Sequence, residues 1–134
     1  MTKWGEYMNI LEELAEHLAF CGFGSTATAE EDGDICWGRM PDEPDDCTCV
    51  FSTDTGTGGP DSPGRFQIMT RARSTRKAYE LSCAIGEELD GFHGFLHGDG
   101  RQAIIEVVNA GTGMGADTKK REVYVTNIRV KYCN

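Results

Sequence analysis

An α+β domain is what the sequence predicts: a mainly antiparallel sheet with two helices packed on one face. Three observations predict it. Two stretches repeat apolar residues at helical spacing, and others alternate at strand spacing. The segment from Gly58 to Leu89 reads as loop, strand and helix in direct succession. At 134 residues, of which 39% are hydrophobic and 26% charged, the chain has the size and composition of one soluble domain, residues 1–134. An acidic insert loop is expected over about residues 25–46.

Taken in order, Trp4, Tyr7, Met8, Leu11, Leu14 and Leu18 recur at steps of three and four. They predict a first helix over residues 3–20, with Glu6, Glu12, Glu13 and Glu16 on its wet side. Cys21-Gly22-Phe23-Gly24 ends it. A short strand is expected at Ile35–Gly38. Met40 to Asp46, with two prolines and four acids, reads as loop. Cys47 to Thr53 is a strand by its β-branched and aromatic content. A Gly-rich loop covers residues 54–64.

The next strand alternates cleanly. Phe66, Ile68, Thr70 and Ala72 point one way, and Arg65, Gln67, Met69, Arg71 and Arg73 the other, onto a face expected to be wet. Ser74 is the expected N-cap of the second helix, whose stripe is Ala78, Leu81, Ile85, Leu89 and Phe92. A short strand at Gly94–Leu96 and a longer one at Arg101–Asn109 follow. Residues 110–120 form a second Gly-rich loop. In the last strand, Arg121–Cys133, Tyr124, Ile128, Val130 and Tyr132 face one side and Arg121, Asn127, Arg129 and Lys131 the other.

The net charge of −9 is unevenly spread, with 14 acids and 2 bases in residues 1–63 against 8 and 11 afterwards. That balance excludes a nucleic-acid reader, which needs a basic patch. It also suggests contact between the acidic half of one copy and the Arg65, Arg71 and Arg73 face of another. No apolar run reaches the ~20 residues of a membrane span, and the N-terminus lacks a signal-peptide core. A cytoplasmic setting is therefore expected, and the six cysteines read as free thiols filling space.

Chemical motifs are weak. Gly56 to Gly64 lacks the lysine of a phosphate loop and precedes a strand. Gly111 to Asp117 lies between strands, where no helix N-terminus could take a pyrophosphate. His17 sits near the apolar stripe of its helix, as a packed or surface residue and not a base. His93 and His97 flank a short strand, where a spacing of four creates no metal-binding face. The cysteine spacing fits zinc poorly. No catalytic, cofactor-binding or metal-ligating residues are assigned.

An ordered set of features nevertheless forms a pattern. It comprises Gly58-Gly59-Pro60-Asp61, a strand ending Arg71-Ala72-Arg73, a helix with Ala78 and Tyr79 closing on Leu89-Asp90-Gly91, and Gly115-Ala116-Asp117 leading through Arg121 to Asn127. In this the chain resembles the minor capsid and tail terminator (tail completion) proteins of long-tailed bacteriophages. The resemblance implies a structural virion protein, assembled in the host cytoplasm, without catalysis or cofactor. It implies a ring, usually hexameric, at the head-proximal end of the tail, ending tube polymerisation and joining the head. Partners would be copies of itself, the tail tube protein and head–tail connector proteins, with DNA passing through unbound and no membrane. Candidate interface residues are Gly58, Gly59, Asp61, Arg65, Arg71, Arg73, Asp117, Arg121 and Asn127. Another neck or minor capsid component, or a small Cys/His metal-binding domain, are the alternatives.

Overall fold

The computed structural model describes residues 9–26, 33–53 and 64–133; Trp4, Tyr7, Met8 and the Gly-rich stretch before Gly64 lie outside the described residues. Helix α1 spans Ile10–Phe20, followed by β1 (Ile35–Trp37), β2 (Cys47–Ser52), β3 (Gly64–Ala72) and helix α2 (Thr75–Leu89). Strand β4 (His93–Phe95), a 3-10 turn (Leu96–Gly98), β5 (Gln102–Ala116) and β6 (Glu122–Cys133) complete the chain. The six strands form one sheet in the order β1-β2-β3-β6-β5-β4.

The α+β expectation holds, with one correction: the sheet is mixed. β1 and β2 run parallel, and every other pairing between the six strands is antiparallel. Parallel neighbours cannot be joined by a tight hairpin. Residues 38–46 therefore have to travel back along the sheet between β1 and β2.

Helix α1 begins at Ile10, and residues 3–8 of the predicted helix lie outside the described residues. Asn9 has extended backbone and its side chain accepts from the Glu12 backbone N–H at 2.9 Å, a cap that starts the helix at Ile10. In α2, Ser74 caps as expected, accepting from the Lys77 N–H at 3.2 Å. Ala78, Ile85 and Leu89 are buried. Ile85 and Leu89 share one core with Leu14 and Leu18 of α1 and with Phe66, Ile68, Ile105, Ile128 and Val130 of the sheet. Cross-strand pairs Val50–Ile68, Phe66–Ile128 and Ile105–Val130 put these strand residues on the helix-covered face. A buried polar rung accompanies them: Thr70 Oγ1 donates to the Ala78 carbonyl at 3.0 Å, and Ser82 and Thr126 hydroxyls lie 3.0 Å apart.

The second Gly-rich loop is not a loop. β5 continues to Ala116, and the hairpin turns only over residues 117–121. Register shifts between Val107 and Asn109, Asn109 and Thr112, and Gly113 and Gly115 absorb the extra residues as bulges. Gly111 takes a positive φ of 67° there, and a Cβ on it would sit 2.7 Å from Cys83 Sγ. A Cβ on Gly86 of α2 would meet Ala110 at 2.6 Å. These glycines let α2 lie close on the ribbon, which is a packing role instead of a flexible one.

Glu13, expected on the wet side of α1, is fully buried. Its carboxylate pairs with Arg101 Nε at 2.7 Å and accepts from the Arg101 backbone N–H at 3.2 Å. The Arg101 guanidinium stands 5.1 Å from the Tyr132 ring centre. Beside it, the His97 backbone N–H donates to His17 Nδ1 at 2.8 Å. That bond requires Nδ1 to be unprotonated, so native His17 is the neutral imidazole. Burial, with repulsion from His97 added, lowers its pKa from 6.5 to about 4. The unfolded chain binds this proton more readily than the folded one. Stability from His17 is thus fully present above pH 6.5 and lost as pH falls towards 4, by up to about 3 kcal/mol. Urea unfolding midpoints are expected to fall between about pH 7 and about pH 4.5 in the wild type, and the His17→Asn variant to show a smaller fall.

Candidate functional site

Four of the side chains that the sequence singled out, Arg71, Arg73, Asp117 and Arg121, converge on the sheet face opposite the helices. Arg71 follows strand alternation onto that face, yet it is 5% exposed, not wet as expected. Residues 38–46 cross over it. Arg71 Nε donates to the Asp45 carbonyl at 3.1 Å, and Nη2 to the Pro44 and Asp42 carbonyls at 2.7 and 3.3 Å. A buried guanidinium needs several acceptors, and a crossing loop has unsatisfied carbonyls, so each satisfies the other.

Arg121 makes the same correction on β6's side. Expected on a solvated face, it is 4% exposed. Its Nε bonds Asp117 Oδ2 at 2.8 Å, Nη1 donates to the Asp42 carbonyl, and Asp42 Oδ1 and Asp45 Oδ1 lie at 3.3 Å. Arg73 Nε meets Asp45 Oδ2 at 2.5 Å, Lys119 Nζ meets Asp42 Oδ2 at 2.5 Å, and Lys77 pairs with Asp46. The acids of the loop and the bases of the later strands thus neutralise one another within a single chain.

The pairing shifts ionisation. A hydrogen bond from Lys119 holds the Asp42 carboxyl below its usual range, and one from Arg73 does the same for Asp45. The Arg121 backbone N–H lowers Asp117 most, with its side chain adding to the effect. These carboxylates therefore favour the folded form above the ordinary carboxyl pKa, and the contribution is lost as pH falls through their lowered values.

Four predicted interface residues, Arg71, Arg73, Asp117 and Arg121, are brought together here. Arg65 and Asn127 are not. Arg65 is exposed on β3 opposite Arg129. Asn127 belongs to a ladder in which Gln67 Nε2 donates to it at 3.1 Å and it donates to Asn109 at 2.7 Å. Gly58, Gly59 and Asp61 lie outside the described residues. Asp42, Asp45 and Lys119 were missed, because nothing local in the acidic loop indicates which bases it meets.

Next to the clamp an open groove of about 500 Å³ runs between α2 and the loop after α1. Phe23, Leu81 and Ala84 supply apolar surface, and Asp34, Asp46 and Lys77 supply polar rim. Underneath, Cys36 and Cys47 thiols lie 3.6 Å apart. The hydrogen bond with Cys47 lowers the Cys36 pKa, but hydrogen bonding to Cys49 and burial outweigh it and push the thiol up to about 12. Protonated thiols of this kind act as packing atoms. Among the described residues no group of three or more His, Cys, Asp or Glu side chains is arranged to hold a metal ion. No helix among them is long and apolar enough to cross a membrane.

The molecule is thus a small α+β domain in which loop acids and strand arginines hold one another. Residues 23–134 match the family model of the bacteriophage tail terminator protein, and the chain belongs to that family. Its role is structural, in the phage tail, as a component of the virion. Neither a curated protein nor a solved structure matches it.

Replacing Arg71 with Met takes the guanidinium donor from the Asp45 and Pro44 carbonyls in a covered site, while the Asp42 carbonyl keeps its bond from Arg121 Nη1. We expect a loss of about 2–4 kcal/mol in urea unfolding, with faster proteolysis within residues 39–46. Lys77→Ala removes only an exposed pair and should move the midpoint far less.

Proposed function

We propose that the chain assembles with copies of itself into a ring, hexameric in stoichiometry, at the head-proximal end of the phage tail. There it ends tail tube polymerisation and offers the surface that joins the tail to the head. Its partners are neighbouring copies, the tail tube protein and the head–tail connector proteins. The family match over residues 23–134 carries the reading.

Surface chemistry supports it. Phe20, Trp37, Phe95, Val108 and Met114 are among the large apolar side chains left exposed, area that contact with other chains would bury. Arg65, Arg73, Asp117 and Asn127, with Gly58, Gly59 and Asp61, remain the candidate contacts. Buried Arg71 and Arg121 contribute by fixing the loop that carries Asp42, Asp45 and Asp46. A net charge of −9 repels the phosphate backbone, so DNA would traverse the ring without specific binding.

Light scattering across protein concentration, followed by electron microscopy with tail tubes, tests the assembly. The expected result is a mass near six subunits, or a ring at one end of each tube. A chain that stays monomeric and leaves tube ends bare contradicts the proposal.

A further inference from the structure

A recess lies on the seam between α1 and the edge strand β1. Its cavity is about 180 Å³, lined by Glu12, Glu16, Thr26, Ile35, Cys36 and Trp37. Glu12 and Glu16 stand one helical turn apart, half-buried, and neither carboxylate has a hydrogen bond or ion pair with another described residue. Trp37 leaves 42% of its surface exposed beside them. An indole wall next to two carboxylates without a partner among the described residues suits one kind of guest, an alkylammonium or guanidinium group. Such a group gains a cation–π contact and charge-assisted hydrogen bonds together.

A matching cation projects elsewhere on the same chain. Lys120 is exposed at the tip of the β5–β6 hairpin, held at a positive φ of 62°. Its neighbours are tied down: Lys119 and Arg121 both reach Asp42, and the Lys120 backbone N–H donates to the Asp117 carbonyl at 3.0 Å. The Lys120 ammonium itself has no ion pair among the described residues. Of the other exposed cations, Arg39 follows Trp37 of the recess by only two residues, and Lys131 lies on the open sheet face. Strands β2 and β3 separate β1 from β6, so knob and recess are different patches of one surface.

We propose that Lys120 of one copy enters the Glu12–Glu16–Trp37 recess of the next. The contact is heterologous, the type that propagates into rings or filaments, and it rests on the self-assembly reading above. The hairpin clamp then has a second consequence: it presents Lys120 from a fixed mount, which limits the ordering cost of docking.

Equal amounts of isotopically heavy and light full-length chain, joined by a zero-length carbodiimide, test it by peptide mass spectrometry. The expected products are heavy–light pairs linking Lys120 to Glu12 or Glu16. Lys120→Glu should weaken self-association in light scattering roughly tenfold, the scale of one lost charge-assisted contact. Mixing it with the Glu12→Lys/Glu16→Lys variant should restore association. Oligomers whose cross-links avoid Lys120, with Lys120→Glu assembling like wild type, would overturn this contact while leaving self-assembly intact. Pairs formed only within one chain would overturn it too. No heavy–light pair at all, with or without tail tubes, would count against both this contact and the ring.

Discussion

Two buried guanidiniums hold this fold's least regular part in place. β1 and β2 are parallel, so residues 38–46 must cross the sheet to connect them, and they do so on the face without helices. A crossing segment there has backbone groups to satisfy and no ladder to join. Arg71 from β3 and Arg121 from the β5–β6 hairpin supply the donors. Because Arg121 also binds Asp117 and Asp42, the same interaction fixes the hairpin turn relative to the loop.

Sequence reading recovered the elements whose pattern is local. β3 shows strict alternation at Phe66, Ile68 and Thr70, and α2 a stripe through Ala78, Ile85 and Leu89 behind a Ser74 cap; all are as expected. What failed depended on distant partners. Glu13 looks like a solvated helix residue until Arg101 is brought beside it. Arg71 and Arg121 read as wet-face residues because alternation reports the side of the strand, and a loop can cover either side. Ala110 to Ala116 carries loop composition, yet pairing with β6 makes it strand, and its glycines serve bulges and close approach. Asn9 did carry a legible signal, an N-cap residue three before Glu12, which a longer apolar repeat obscured.

The candidate site was legible in membership but not in arrangement. Arg71, Arg73, Asp117 and Arg121 belong together, whereas the acids that unite them sit in a loop read only as an insert. The charge asymmetry between chain halves is therefore resolved in part inside the molecule. Glu12, Glu16 and Lys120, without ion pairs among the described residues, are charges left available for contact between copies.

A ring of the kind proposed stops tail tube growth. The most direct measurement is the length distribution of tubes polymerised from purified tail tube protein, recorded by electron microscopy with and without this chain. Arrest of further growth, with the chain located at one tube end, is the predicted result. Tubes that keep lengthening at the same rate with the chain in excess would contradict it.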